Sequence, residues 1–391
     1  MSDNRYRLII ARQARAGELK TSHGTVPTPV FLPVGSQATV KTLTPEEISG
    51  IGFKMILANN YHLYLRPGIE IVKKMGGLHK FMNWHGAILT DSGGYQVFSL
   101  APLRKVTDEG VMFRSHIDGS QHFLTPELAV EYQEALGSDV MMVLDECAPH
   151  DAGRAKVAEA MHRTHRWAAR CKEAQKSTKQ SLYGIVQGGI FSDLRKQSVD
   201  YLKTLDFEGY AIGGLSVGEP KDIMYSILEE TVARLPVEKP RYLMGVGSPE
   251  DIVEGIARGI DIFDCVLPTR VARNGAFFTR HGRINIRNAK YAQQKAPVMP
   301  GCECYTCTHF SAAYLHHLFN AGELLAYRLA TLHNLTFMYS LVKKIRASIL
   351  GDTFETFREE FRQNYKITDE SVRLSQKEKW LKAREAKGQA E

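Results

Sequence analysis

The sequence predicts an α/β protein: a (β/α)8 TIM barrel with antiparallel β-strands at its N-terminus and a small cysteine-bearing subdomain inserted near its end. Three observations predict it. Seven short, nearly continuous apolar runs recur along the chain, the pattern of parallel strands buried on both faces. Helical stretches with clean starts separate them, which makes repeated strand–helix units. No Gly-x-Gly-x-x-Gly follows the first run, and this disfavours an open dinucleotide-binding sheet.

Residues 1–40 alternate and turn, through Arg7–Ala11, Ala16-Gly17 and His23-Gly24 to Pro27, Pro29 and Pro33. That reads as one or two β-hairpins ahead of the main domain. A barrel is expected over 41–291, with strands at Lys54–Asn59, Ala87–Asp91, Asp139–Asp145, Ser181–Gln187, Tyr210–Gly214, Arg241–Gly245 and Asp261–Asp264. Thr44-Pro45-Glu46, Thr125-Pro126-Glu127 and Ser248-Pro249-Glu250 each supply a hydroxyl cap, a first-turn proline and an acid against the helix dipole. Residues 292–335 form the cysteine subdomain, too short to stand on a hydrophobic core alone. A last barrel helix region is expected over 336–370, and a charged, disordered tail over 371–391.

Of the 391 residues, 43% are hydrophobic and 24% charged, so a large core is possible and global disorder is excluded. No apolar run approaches the length of a membrane span. The N-terminus holds only Leu8–Ala11 between charges, too little for a signal-peptide core. A cytoplasmic protein without membrane contact is expected. The net charge of +7 is unremarkable, but seven basic residues and no acidic one lie between Val266 and Lys295. With Phe277, Phe278 and Tyr291 among them, such a stretch suits either a polyanion or a solvated face.

Six cysteines lack any secretory context, so a disulfide framework is not expected. Cys302, Cys304 and Cys307 cluster just after Pro300-Gly301, and thiolates so spaced can converge on one tetrahedral Zn²⁺, with ligands at about 2.0–2.3 Å. One closed, structural zinc per chain is the expected cofactor. His309, His316, His317 and His333 all remain open as its fourth ligand.

Barrel enzymes place their chemistry at the C-terminal ends of strands. Asp91, Asp145, Gln187, Gly214, Gly245 and Asp264 fall there in turn. Any one of them could cap a turn or fill a tight loop; six in succession point to a shared pocket. Asp91 and Asp264 can divide the labour of nucleophile and general acid/base, as in retaining glycosyl transfer. Asp145 can accept two N–H groups at once, as on the Watson–Crick edge of guanine. Gln187 and the Gly214 N–H can donate to a carbonyl such as O6, while Tyr95 and Met244 offer surfaces for sandwiching a ring.

Asp91-Ser-Gly-Gly-Tyr-Gln-Val-Phe98, Gly184-Ile-Val-Gln-Gly-Gly189, Gly213-Gly-Leu-Ser-Val-Gly-Glu219, Tyr242-Leu-Met-Gly-Val-Gly247 and the run Phe263–Gly275, with the cysteine cluster, closely resemble the queuosine-type tRNA-guanine transglycosylases. The likeness extends over about residues 25–335 in the family's order. It implies the barrel with an inserted zinc-binding subdomain, and it names Cys302, Cys304, Cys307 and His333 as the ligands. It implies that Asp264 attacks C1′ of the target ribose, that Asp91 serves as general acid/base, and that a covalent enzyme–RNA intermediate forms. Base recognition carries over to Asp145, Gln187 and Gly214, with Ser92, Gly93 and Gly94 lining the site and Tyr95 and Met244 stacking. The Leu215 carbonyl and Glu219 would face the aminomethyl group of the incoming base. Gly245, Val246, Gly247, Ser248, Pro249, Glu250 and Asp251, and Thr269, Arg270, Val271, Ala272 and Arg273, resemble the family's RNA-contacting segments. The target nucleotide must be swung out of its stack to enter, and phosphate contacts would make binding salt-dependent.

Fifty-eight residues follow His333, too few for the last helix plus the RNA-binding domain that archaeal members usually carry. Cys147 beside Asp145, the Tyr95–Phe98 segment and Val217 resemble the bacterial pattern. The resemblance therefore implies a homodimer acting on a tRNA with a wobble guanine, with guanine and 7-aminomethyl-7-deazaguanine as the exchanged bases. Two other classes compete. A non-catalytic tRNA-binding subunit would have lost Asp264 or Asp91, and both are present. A barrel glycosidase acting on small sugars leaves Asp145, Gln187, the basic stretch and the cysteines without a role.

Overall fold

Strands buried on both faces form where residues are apolar or have protein partners for their polar groups, and these runs meet that condition: Met55–Asn59, Ala87–Asp91, Val140–Met142, Ser181–Val186, Gly209–Ile212, Arg241–Leu243 and Ile262–Asp264 are buried throughout. In the computed structural model, which describes residues 5–100 and 104–367, they pair in parallel and in chain order. The strand that completes the ring is Val30–Leu32 continuing as Val34–Gly35, inside the proline-rich stretch that reads as hairpin. Its first part pairs with the last strand (Ile262↔Val30, Phe263↔Phe31) and its second with Met55–Asn59 (Val34↔Leu57). Pro33 splits it because proline has no N–H for the ladder; its carbonyl still accepts from the Leu57 N–H at 3.0 Å. The nine strand segments of this sheet thus make an eight-stranded closed barrel, which leaves no open edge.

All three cap signals are realised. Thr44 Oγ1 accepts from the Glu47 N–H at 3.2 Å, and Glu47 Oε2 accepts from the Thr44 N–H at 2.9 Å, a full capping box ahead of the helix Pro45–Ile51. Thr125 Oγ1 accepts from Leu128 N, and Ser248 Oγ from Asp251 N. Each such cap contributes about 1 kcal/mol.

Tyr6–Ile10, Ala16–Thr21 and Gly24–Thr28 form an antiparallel sheet before the barrel. It is anchored by a buried pair, Arg15 Nε to Asp261 Oδ1 at 2.9 Å. Tyr6 OH donates to the same oxygen at 2.8 Å, and the Arg241 N–H to Asp261 Oδ2 at 2.8 Å. Removing one partner from so buried a pair costs about 3–5 kcal/mol. A second antiparallel sheet, Arg104–Val106, Val111–Arg114 and Gln121–Leu124, follows the strand that ends in Asp91.

Among the described residues the chain divides into two compact units, 5–270 with 338–354, and 271–337 with 355–367. The second has its own core, including Phe277, Ile286, Leu315, Leu318, Phe319 and Leu329, beside the hairpin Ala276–Thr279/Gly282–Asn285. The tail expected over 371–391 lies outside the described residues. Among the described residues no helix is long and apolar enough to cross a membrane.

Candidate active site

The barrel ring fixes where the polar strand ends go. Asp91 and Asp264 are the last residues of their strands, Gln187 comes immediately after Val186, and Gly213-Gly214 and Met244 follow Ile212 and Leu243. Asp145 lies three residues beyond the strand Val140–Met142. All therefore stand at one end of the ring.

Asp264 is held by one oxygen. Tyr242 OH donates to Oδ1 at 2.5 Å and the Gly245 N–H to the same oxygen at 2.8 Å. Oδ2 receives no hydrogen bond from the described residues. Burial pushes this carboxyl up, opposed by those two donors, and burial likewise lifts the Tyr242 phenol, helped by the Asp264 charge. Tyr242 therefore stays protonated and stays a donor.

Asp91 takes the Asn60 N–H on Oδ1 at 3.0 Å and Gln96 Nε2 on Oδ2 at 2.9 Å, with Asn59 Nδ2 donating to Oδ2 as well. Burial pushes its pKa up to about 7 against those bonds, and the charge of Asp264 adds to the rise. The two carboxyls thus feel one another, and Asp91 is poised to gain or lose a proton near neutrality.

Asp145 accepts from Gln187 Nε2 at 2.7 Å on Oδ2, with Ser92 Oγ at 3.5 Å from Oδ1. Burial pushes it up to about 6, opposed by the hydrogen bonds of Gln187 and Ser92, which favour its charge. Two glycines are required around it. A Cβ on Gly94 would lie 2.5 Å from the Asp145 carbonyl, and one on Gly214, where φ is +65°, 2.5 Å from Gln187 Oε1. Gly93 is buried behind Gly94, against Tyr61. Tyr95 is half-exposed at the rim, close enough to Arg270 to feel its charge; Met244 is half-buried. Leu215 is buried, and Glu219 accepts the N–H groups of Ser216, Val217 and Gly218, the last two at 3.1 Å.

The segments expected to meet RNA are mostly packed inward. Val246, Gly247, Pro249, Asp251, Thr269, Val271 and Ala272 are buried; Ser248, Glu250 and Arg273 are partly so, leaving Gly245 and Arg270 exposed. Glu250 and Asp251 pair with Lys221 Nζ at 2.8 and 2.9 Å. Their local role is to hold the start of the helix Pro249–Ala257.

Sequence reasoning missed Asn59, Asn60, Gln96, Tyr242 and Arg195. Asn59 ends its strand as Asp91 does, so the same strand-end rule could have found it. Arg195 is a fully buried guanidinium that donates to the carbonyls of Gly189, Val186, Gly213 and Gly214 at 2.8–3.3 Å. It positions the two loops that carry Gln187 and Gly214.

In the second unit Cys302, Cys304, Cys307 and His333 bring their ligand atoms within 4.8 Å of one another. His333 Nδ1 lies 3.9, 3.4 and 3.3 Å from the three sulfurs in that order. A tetrahedral zinc requires edges of roughly 3.5–3.8 Å between such donors, and the imidazole stands close to that from each sulfur. His333 Nε2 lies 2.7 Å from the Phe278 carbonyl; donation there leaves Nδ1 its lone pair for the metal. His316 Nδ1 is engaged by the Ile286 carbonyl and His309 Nδ1 by that of Tyr305.

A closed parallel barrel with interacting buried carboxyls at its C-terminal strand ends defines an enzyme of the TIM-barrel class. The comparisons with known proteins then narrow it. The model of the family described as queuine tRNA-ribosyltransferase matches residues 11–367. Proteins named queuine tRNA-ribosyltransferase are 62% identical in Dehalococcoides mccartyi strain 195 (95% of each chain) and 60% in Pelotomaculum thermopropionicum (90% of this chain, 95% of the relative). Another, from Thermoanaerobacter pseudethanolicus, is 57% identical over 95% of this chain and 100% of its own. The chain belongs to the queuine tRNA-ribosyltransferase family.

Proposed function

We propose that the protein exchanges the wobble guanine of tRNAs with GUN anticodons for 7-aminomethyl-7-deazaguanine, by double displacement at C1′ of the ribose. The observation that carries this is the Asp264 carboxylate, fixed by Tyr242 and Gly245 through Oδ1 alone while Oδ2 is left to attack. In the first displacement Oδ2 bonds to C1′, the C1′–N9 bond breaks, and protonated Asp91 supplies the proton to the leaving guanine. In the second, Asp91 takes the N9 proton of the incoming base, N9 bonds to C1′, and the ester to Asp264 breaks. Two inversions give net retention, and one glycosidic bond replaces another, so no nucleotide cofactor is consumed.

Asp145 in its ionised form accepts the N1–H and exocyclic amine of the base. Gln187 already gives one N–H to Asp145 and keeps the second for O6. Glu219, caught by three backbone N–H groups, supplies the anionic face for an aminomethyl cation. That pairing suits the cationic aminomethyl group of 7-aminomethyl-7-deazaguanine, which we take as the incoming base. Zinc is the ion the three thiolates and imidazole select. The family implies a homodimer working in the cytoplasm; half-exposed Tyr305 beside Phe310 and Tyr314 offers an aromatic contact surface for it.

The deciding assay is incorporation of labelled guanine into unmodified tRNA with guanine at the wobble position, against the same tRNA with adenine there. Label in the first alone is expected. No label despite intact tRNA binding would make the protein a binding subunit.

Asp145 gives a pH prediction. Its carboxyl titrates at about 6 and must be ionised to read the base, so the KM for the incoming base should rise as pH falls through 6. Asp145→Asn should raise that KM at neutral pH by about 10–100-fold, for a lost charge-assisted pair of about 1.5–3 kcal/mol, and should flatten the acid limb. A variant with unchanged base KM, or an unchanged limb, would remove Asp145 from recognition.

A further inference from the structure

At the end of the barrel opposite the carboxylates lies a second constellation. His23 sits on the turn between Ala16–Thr21 and Gly24–Thr28, His79 in the helix Leu78–Met82, and Asp139 just ahead of the strand Val140–Met142. Three elements distant in sequence bring two imidazoles to one buried carboxylate. Asp139 Oδ1 is 2.9 Å from His23 Nδ1, and Oδ2 is 3.3 Å from His79 Nε2. The two rings stack face to face, with centroids 3.5 Å apart. His79 Nε2 is buried and makes no hydrogen bond of good geometry. All three ligand atoms fall within 4.8 Å of one another.

We propose that His23, His79 and Asp139 form a second metal site, for a divalent ion of the zinc, cobalt or nickel class, which ties the N-terminal sheet to the base of the barrel. Two imidazole nitrogens with one carboxylate oxygen select those ions over magnesium and calcium, which require oxygen ligands. A tetrahedral shell requires donors about 3.3 Å apart with both ring lone pairs aimed at the ion, so the stacked rings must swing out of parallel when metal binds. His23 has the freedom to make that rotation, standing on a turn with its side chain 34% exposed. Asp139 is held from behind by the Ile88 N–H, which donates to Oδ2 at 2.9 Å, the outer support that metal-binding carboxylates use. On its exposed side His23 lines a groove of about 670 Å³, together with His85, Glu46 and Lys54. With three protein ligands the site binds more weakly than the Cys3His cluster, and water completes its shell. Its place at the N-terminal strand ends gives it a structural role, since barrel chemistry occupies the other end.

The test is cobalt(II) titration of full-length protein already carrying one zinc per chain, followed by calorimetry and absorption. One further equivalent should bind, with d–d bands but no thiolate-to-cobalt charge transfer, so that zinc replacement is not mistaken for it. The melting temperature should rise with cobalt. His23→Ala, on the exposed turn, should fold and exchange base as wild type does. It should bind the second equivalent more weakly by more than the about 10–100-fold that loss of an outer-shell partner costs. His79→Ala should lose that equivalent. Wild-type protein that takes up no second equivalent, or His23→Ala that binds it like wild type, overturns the proposal.

Discussion

Asp264→Asn is expected to abolish base exchange while leaving tRNA affinity within a few-fold of wild type. Asparagine preserves the shape: its carbonyl can still accept from Tyr242 OH and the Gly245 N–H, as Oδ1 does now. What it loses is the nucleophile, because an amide nitrogen stands where Oδ2 would attack. Loss of a nucleophile that acts in concert with its neighbours costs on the order of 10⁴–10⁶ in kcat. Wild-type protein given tRNA but no incoming base should show a covalent complex on a denaturing gel, and the variant should show none. Burial holds the Asp264 carboxyl above its ordinary range, so its attacking form is depleted as pH falls and single-turnover rates should drop on the acid side. Asp91, at about 7, opposes that limb: it must be protonated to release guanine, so the same step should slow as pH rises above 7. Turnover within tenfold of wild type in Asp264→Asn, or an adduct formed on it, would overturn the nucleophile assignment.

How legible these features were depends on the kind of constraint behind each. Continuous apolar runs are dictated by burial on both faces, so seven strands could be read from the chain. The eighth, Val30–Gly35 around Pro33, was hidden because proline punctuates turns far more often than it interrupts a barrel strand. Hydroxyl–proline–acid triplets act locally, and all three caps read true. Asp91, Asp145 and Asp264 were legible as polar residues ending apolar runs. Their partners were less so: the bond from Tyr242 to Asp264 and the support of Asp91 by Asn60 and Gln96 arise from backbone paths that no spacing encodes. Arg195 marks the limit. An arginine in the helix Ser192–Thr204 reads as a solvated residue, and its four carbonyl partners come from two loops of the closed ring. In the basic stretch the burial of individual residues was not legible either: within Thr269–Arg273 three of five are buried, whereas Arg270, Arg280, Arg287, Lys290 and Lys295 are exposed.

Cys302→Ser should release the metal and unfold the second unit around it. The three cysteines come within six residues of one another, while His333 comes from the long helix Leu324–Leu350, so the ion closes a loop that the local chain cannot close alone. The surrounding core is modest, and Cys304 and Cys307 are themselves part of it; removing the ion would leave buried thiols repelling or protonated where thiolates were paired. Structural zinc contributes an apparent 10–16 kcal/mol in small zinc-dependent folds, comparable to the whole stability of a typical domain. Serine is a far poorer zinc ligand, and with three ligands left the site should lose zinc to a mild chelator that wild type resists. Hydrogen exchange should then accelerate over 271–337, while the barrel strands Ala87–Asp91 and Ile262–Asp264 keep their protection. If Cys302→Ser retains stoichiometric zinc, or if metal-free wild type protects 271–337 as well as the loaded protein, then the cluster is a group of reduced thiols packed in a core and the ion is not what holds the unit together.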